Sequence, residues 1–236
     1  MYKGNSVEII LPAYNESQTI KDYIKDLEKL KIFDKITAID NNSSDNTKEE
    51  IEKTSAKYLF EKNQGFGAAV KRGLDNISCD YVVISEPDGS FSAKDVYLLL
   101  EQIENYDAVF TTRTYSDMKF YLRFGNKIYG LLISFLFRGP ILTDAGSSFR
   151  IFKKKKLKEI IPRLKSDGPE LQMELTTSLM INKAKIIETK VNYKKRKGKS
   201  NYTGNFYDSF KVLIVFTKVI ILKFFRIFWN VSLRIH

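Results

Sequence analysis

The chain has one histidine, one cysteine and one tryptophan in 236 residues, and the histidine, His236, is its last residue. This nearly excludes any mechanism that needs a core histidine as a base or zinc ligand. The lone Cys79 excludes an intrachain disulfide. Beside the apolar run Tyr81 to Ile84 it reads as a small buried residue, which fits a reducing compartment. No apolar signal region follows the opening Met-Tyr-Lys-Gly-Asn. The uninterrupted apolar stretch Ile128 to Phe137 is short of the ~20 residues that cross a bilayer. Acidic charge is also scarce, with 28 Asp and Glu against 39 Lys and Arg, a formal charge of +11. The excess gathers in Lys153 to Lys158, in Lys194 to Lys199 and along the tail. Nucleic acid, anionic lipid or phosphorylated substrates would each account for it, as would a solvated lysine-rich surface.

What is present is an alternation of short apolar runs and helical patterns. Val7 to Leu11, Ile36 to Ile39, Lys57 to Phe60, Tyr81 to Ser85 and Ala108 to Thr112 read as strands. Between them Glu16 to Leu30, with Ile20, Ile24, Leu27 and Leu30 on one face, reads as a helix. A helix begins near Asp45 to Thr47, and Gly67 to Leu74 and Asp95 to Ile103 are helical. This order predicts an α/β fold with a mostly parallel sheet and helices on both faces. Further on, Ser147 to Phe152 and Lys185 to Tyr193 suit strands, and Glu170 to Met180 suits a helix.

Four turns follow the first four strands: Pro12-Ala-Tyr-Asn-Glu16, Asp40-Asn-Asn-Ser-Ser-Asp45, Asn63-Gln-Gly-Phe-Gly-Ala68 and Glu86-Pro-Asp-Gly89. Each sits at the C-terminal end of a strand, where open α/β sheets bind ligands. Glu86 and Asp88 flank Pro87 on an extended turn and offer oxygen ligands to Mg²⁺ or Mn²⁺, which would bridge a diphosphate. An ordinary Asp-Gly turn explains the same residues, so their weight comes from the ordered series. Asp40 could accept a hydrogen bond from a base or ribose, or cap a helix. Gly65 and Gly67 lack the third glycine of a dinucleotide fingerprint, which is Val70 here, so a nicotinamide enzyme is disfavoured and close packing is expected.

In this order the residues resemble glycosyltransferase family 2, enzymes of the GT-A fold, and among them the dolichol- or polyprenyl-phosphate sugar synthases. The four turns carry the likeness, with Thr111-Thr-Arg113, Thr143-Asp-Ala-Gly-Ser-Ser-Phe-Arg150 and Glu188-x-x-Val-x-Tyr193-x-x-Arg196-x-Gly198-Lys-Ser200. The resemblance implies that Pro12, Tyr14, Asn15, Glu16 and Asp40 hold the nucleotide sugar, together with Glu86, Pro87, Asp88 and Arg113. It implies Glu86 and Asp88 as metal ligands, and Arg196, Lys199 and Ser200 as phosphate or acceptor contacts. Two positions depart from the family pattern: Glu86 stands where an Asp is usual, and Asn201 replaces a lysine.

The expected reaction is metal-dependent, inverting transfer of a hexosyl or N-acetylhexosaminyl group from a nucleotide sugar to a polyprenyl phosphate. A phosphate monoester is already ionised near neutral pH and needs no strong base. A hydroxyl acceptor would need one, and Asp144 is then the candidate. A third alternative is a non-catalytic basic membrane-binding module. Nucleic acid is disfavoured because the carboxylate turns would repel its backbone. Residues 1–205 are expected to form the transferase domain and residues 206–236 a membrane-interface tail. In that tail Lys211, Lys218, Lys223 and Arg226 span an arc of roughly 140° at the helical period, opposite a broad apolar face ending near Trp229. Packing of this helix on the protein's own core is the other reading. The expected location is cytoplasmic, peripheral on the inner face of a membrane.

Overall fold

A computed structural model describes residues 1–114, 120–196 and 206–232. Seven strands form one sheet in the order β3-β2-β1-β4-β6-β5-β7. They are β1 Val7–Ala13, β2 Lys35–Asp40, β3 Lys57–Phe60, β4 Tyr81–Ile84, β5 Ala108–Arg113, β6 Arg150–Lys153 and β7 Ile186–Val191. The pairings are parallel except where β6 runs antiparallel between β4 and β5. The helices are α1 Ile20–Lys29, α2 Thr47–Glu52, α3 Phe66–Leu74, α4 Val96–Ile103, α5 Phe120–Leu136, α6 Lys154–Ile160, α7 Leu171–Ile181 and α8 Phe206–Ser232.

Strand alternation divides the core in two. Ile9, Leu11, Ala38 and Val83 face one layer with Ile24 of α1, Ile51 of α2 and Leu99 of α4. Ile10, Ile39, Val82 and Phe110 face the other, with Val70 of α3, Ile133 of α5, Leu157 of α6, Leu175 of α7 and Phe216 of α8. The chain builds β1, β2 and β3 outward, then returns through α3 to lay β4 on the other side of β1. That reversal opens a crevice beyond the ends of β1 and β4, where open α/β sheets place their ligands.

Several boundaries differ from the sequence reading. Helix α1 starts at Ile20 rather than Glu16, because residues 16–19 form a turn in which the Glu16 carbonyl accepts from the Thr19 and Ile20 N–H groups. Lysines 154–156, for which a solvated surface is one reading, are partly or fully exposed and open a helix, α6, that the sequence reading does not place; its Leu157 and Ile160 are fully buried.

The C-terminal helix packs along one face on the protein's own core, the second of the two readings of the tail. Its inward face belongs to the main core, with Phe216 and Ile220 buried. The Tyr129 hydroxyl of α5 donates to the Leu213 carbonyl, and Phe137 packs edge-on against Phe224. Its outward face leaves Tyr207, Phe210, Ile214, Ile221, Leu222 and Phe225 exposed. The expected cationic arc is split. Lys211 and Lys218 are exposed, whereas Lys223 turns inward to Glu174 of α7 at 3.3 Å. The side chains of Arg226 and Trp229 lie outside the described residues. No described helix is long and apolar enough to cross a membrane.

The glycines at the start of α3 serve close packing. A Cβ on Gly67 would sit 2.5 Å from the Ser166 carbonyl oxygen and 2.8 Å from the Gly168 oxygen. Both contacts are backbone and cannot swing away. Gly67→Ala should therefore destabilise the protein by about 1–3 kcal/mol through overpacking, measured by urea denaturation; an unchanged midpoint would contradict this contact.

Candidate active site

The crevice between β1 and β4 holds a cavity of about 340 Å³. Pro12, Ala13 and Tyr14 line it from the end of β1, Glu86 from the end of β4, and Asn41 from the end of β2. Gln64, Gly65, Phe66 and Ala69 supply the wall formed by the glycine turn and α3, and Glu16 and Arg196 complete it.

The first turn is held in shape by its neighbour. Asn15 adopts φ +55°, a left-handed conformation that Asn tolerates better than most residues. Its side-chain oxygen accepts from the Ser44 N–H at 2.8 Å, and its own N–H donates to the Ser43 hydroxyl at 3.0 Å. Asn15 thus ties two loops together and does not line the cavity. The Glu16 N–H donates to Thr47 Oγ1 at 2.8 Å. Asp40 is buried, with Oδ1 accepting from the Ser43 N–H and Oδ2 from the Tyr58 hydroxyl. The cavity-lining side chain at this strand end is Asn41, which the sequence reading passed over. Its amide donates to the Asn63 carbonyl and its oxygen accepts from the Gly65 N–H, both at 2.7 Å, so it pins the glycine turn to β2.

Glu16 and Asp88 converge on Arg196, and Glu16 and Glu86 line the cavity. Asp88 is 4% exposed, and its Oδ1 accepts from the Ser90 N–H, closing the turn after Pro87. Arg196 lies across the crevice, with Nη2 2.6 Å from Glu16 Oε1 and Nε 3.7 Å from Asp88 Oδ2. Two contacts bring Arg196 here from beyond β7. The Lys194 N–H donates to the Ser90 carbonyl, and Tyr193 packs edge-on against Phe91. Burial pushes the Glu16 carboxyl up to about 7, against the pull of Arg196 and with the added repulsion of Asp88. Burial and then the Asp88 charge also raise Glu86, while a hydrogen bond from Ser148 and the Arg196 charge oppose that rise.

A second charged group stands beside this one. Asp144 is 1% exposed and grips Arg113 with both oxygens, Oδ2 to Nε and Oδ1 to Nη2 at 2.7 Å each. Burial lowers the Arg113 pKa, but the Asp144 charge and hydrogen bond outweigh it and the net direction is upward. Arg113 also lies over the Tyr193 ring at 5.2 Å. Asp144 is held in turn by Glu188, whose carboxylate accepts from the Thr143 and Asp144 N–H groups and the Thr143 hydroxyl. Asp144, the base candidate for a hydroxyl acceptor, is therefore occupied by a guanidinium in this arrangement. Lys199 and Ser200 lie outside the described residues.

The donor set suits a hard divalent cation, since Glu86 and Asp88 offer only oxygen. Among the described residues no group of three or more His, Cys, Asp or Glu is arranged to hold a metal alone. Glu16 is taken by Arg196. Mg²⁺ is commonly held by one or two carboxylates with phosphate oxygens and water, and the pair fits that pattern.

The raised Glu16 pKa has a consequence for stability. Relative to the ordinary 4.5, a folded-state value of about 7 means the folded protein keeps this proton longer than the unfolded chain. Its stabilising contribution is present below pH 4.5 and is lost as pH rises through about 7. The melting temperature of Glu16→Gln relative to wild type should therefore climb between pH 5 and pH 8. A difference independent of pH would contradict the burial of an ionisable group here.

Comparison with known proteins agrees with the geometry. The family described as Glycosyl transferase family 2 matches residues 8–161. Glycosyltransferase AglJ of Haloferax volcanii is 31% identical over 178 residues, covering 72% of this chain and 57% of that protein. The chain thus spans little more than half of that relative. A UDP-N-acetylglucosamine–dolichyl-phosphate N-acetylglucosaminyltransferase of Methanococcus voltae is 26% identical over 214 residues, 78% of this chain and 84% of that one. Among solved structures, glucosyl-3-phosphoglycerate synthase of Mycobacterium tuberculosis, crystallised with Mn²⁺, UDP and phosphoglyceric acid, superposes with a TM-score of 0.76. It is 16% identical and the match covers 94% of this chain and 79% of that one, so it speaks to the fold. With well over half of its length matched by the family, a GT-A sheet and a carboxylate-floored crevice at the switch point, the chain belongs to glycosyltransferase family 2 and is a glycosyltransferase.

Proposed function

We propose that this enzyme moves a sugar from a UDP- or GDP-linked donor to a polyprenyl phosphate at a membrane surface, with inversion at the anomeric carbon. The observation that carries the reading is the Glu16–Arg196–Asp88 bridge over the cavity floor. It places a guanidinium suited to phosphate among carboxylates suited to a divalent cation. The M. voltae relative, named for a dolichyl-phosphate acceptor, and the mycobacterial synthase, crystallised with Mn²⁺, UDP and a phosphorylated acid, support the same chemistry.

The donor would enter between Tyr14 and the Gly65–Phe66 wall, with its diphosphate over Glu86 and Asp88. These two residues would hold Mg²⁺ or Mn²⁺, which when bound neutralises charge on the departing diphosphate. Arg196 would turn from Glu16 to the phosphates. An oxygen of the lipid phosphate bonds to the anomeric carbon from the face opposite the diphosphate. The bond from that carbon to the diphosphate oxygen breaks, and its electron pair leaves with the nucleoside diphosphate. No proton has to be removed, because the attacking phosphate is already ionised. The engagement of Asp144 by Arg113 favours this route over a hydroxyl acceptor, which would require Asp144 as base.

The acceptor's lipid nature is supported by the surface made by α5 and α8. On α5, Phe120, Phe124, Ile128, Leu131 and Phe135 form one exposed stripe at helical spacing. On α8, Tyr207, Phe210, Ile214, Ile221 and Phe225 form another. The helices lie side by side and parallel, since Tyr129 meets Leu213 and Phe137 meets Phe224. Both exposed stripes point away from the core. Arg123 and Lys127 of α5 and Lys211 and Lys218 of α8 are exposed beside them, and the α5 sequence contains no acid. Apolar stripes edged with cations suit the interface of an anionic bilayer.

The two parts of the reading separate by mutation. Asp88→Asn should cut sugar transfer by about 10²-fold or more and leave binding to phosphatidylglycerol vesicles unchanged. Lys211→Glu with Lys218→Glu should do the reverse to vesicle co-sedimentation while leaving nucleotide binding intact. Retained transfer in Asp88→Asn would remove the metal-ligand role. Unchanged sedimentation of the double variant would remove the membrane face.

A further inference from the structure

The inward-turned Lys223 breaks the pattern of α8. Lys211 and Lys218 are exposed, but the Lys223 side chain is 15% exposed. Its ammonium lies 3.3 Å from Glu174 Oε1 and donates to the Ser178 hydroxyl at 3.0 Å. Glu174 is buried in α7, and its other oxygen, Oε2, accepts from the Lys165 and Ser166 N–H groups at 2.9 Å each. One carboxylate therefore joins the C-terminal helix to the loop that precedes α7.

That loop is the backing of the donor cavity. The Asp167 carbonyl accepts from the Ala68 N–H at 3.0 Å. A Cβ on Gly65 would lie 2.2 Å from the same carbonyl oxygen, so turn and loop touch backbone to backbone. Lys71 fastens the other side, donating to the Lys165 carbonyl and to Asp167 Oδ1. On the opposite face of the turn, Gln64, Gly65 and Phe66 line the cavity. The path from α8 to the cavity wall thus runs through one ion pair, two N–H bonds and one backbone contact.

We propose that Lys223 and Glu174 are positioning residues for the transfer reaction. Seating of α8 through their ion pair sets the 165–168 loop, and the loop sets the Gly65–Phe66 wall against which the donor lies. The donor's identity as a nucleotide sugar rests on the preceding section, whereas the coupling itself does not. A hard contact between backbones transmits displacement, because interiors at this density have no slack to absorb it. Glu174 also matches its task. Burial works against its charge, but the two N–H groups and Lys223 hold its carboxyl below the usual range, so the link stays ionised.

Hydrogen exchange on the ligand-free protein tests the coupling directly. Lys223→Met keeps the apolar stem and removes the charge. Amides 65–70 should exchange about fivefold faster or more, the lower end of ordinary coupling energies. Those of α1, on the other face of the sheet, should be unchanged, and Lys223→Arg should restore the wild-type rate. Glu174→Gln, which keeps an acceptor for the loop, should reproduce the Met result. Nucleotide binding gives the second readout. The dissociation constant for UDP or GDP with Mn²⁺ should rise severalfold in Lys223→Met, while the turnover rate at saturating donor stays near wild type. Unchanged exchange at 65–70 in both variants, or a uniform rise over the whole chain, would overturn the proposal. A wild-type protein that binds neither nucleotide would instead overturn the donor assignment, and the exchange result would still judge the coupling.

Discussion

Carboxylates crowd one crevice, and the Arg196 guanidinium stands between two of them. Glu16 reaches that guanidinium at 2.6 Å and Asp88 at 3.7 Å, while Glu86 sits at the end of the next strand with its pKa raised by burial and then by Asp88. Like charges in a site of low polarity repel strongly, and they persist only where positive charge offsets them. The rest of the molecule serves this arrangement. The reversal between β1 and β4 brings Glu16 and Asp88 together from positions far apart in sequence. The bond from Lys194 to Ser90 and the Tyr193–Phe91 contact return the chain from β7 to deliver Arg196. Among these carboxylates the Arg196 guanidinium supplies the offsetting positive charge.

A second charge chain flanks the first. Glu188 fixes Asp144, and Asp144 fixes Arg113 in a two-pronged grip. The result is a rigid cation at the end of β5, whose charge acts on Glu86. Such a grip holds a guanidinium at low entropic cost. It also leaves Asp144 poorly placed to accept a proton from an acceptor, and this is why the acceptor is better read as a phosphate than a hydroxyl.

Much of this was legible in the residues. Short apolar runs alternating with helical stripes announced β1 to β5 and their parallel order. The turns at Pro12, Asp40, Asn63 and Glu86 come together around the cavity between β1 and β4. What escaped was whatever depended on neighbours remote in sequence. Nothing local distinguishes Asn41 from Asn42, yet only Asn41 meets the Gly65 N–H, because β2 delivers it to the glycine turn. Asp40, offered as a contact for a base or ribose, is buried and accepts from the Ser43 N–H and the Tyr58 hydroxyl, contacts no local pattern announces. Lys223 matched Lys218 in spacing and type, and only the position of Glu174 on α7 turned it inward. The lysine run at 153–156 hid a helix start because its buried partners, Leu157 and Ile160, come after the charges.

The central claim is that a lipid phosphate, held beside a metal-dependent nucleotide-sugar site, is the attacking group. It is tested most directly by giving the purified protein Mn²⁺ and a panel of UDP- and GDP-sugars with either polyprenyl phosphate or the corresponding polyprenol, and following sugar transfer to lipid. The account predicts transfer from one donor class to the phosphate, abolished by chelation, with none to the alcohol. Transfer to the polyprenol or to a sugar hydroxyl, with polyprenyl phosphate inert, would contradict it.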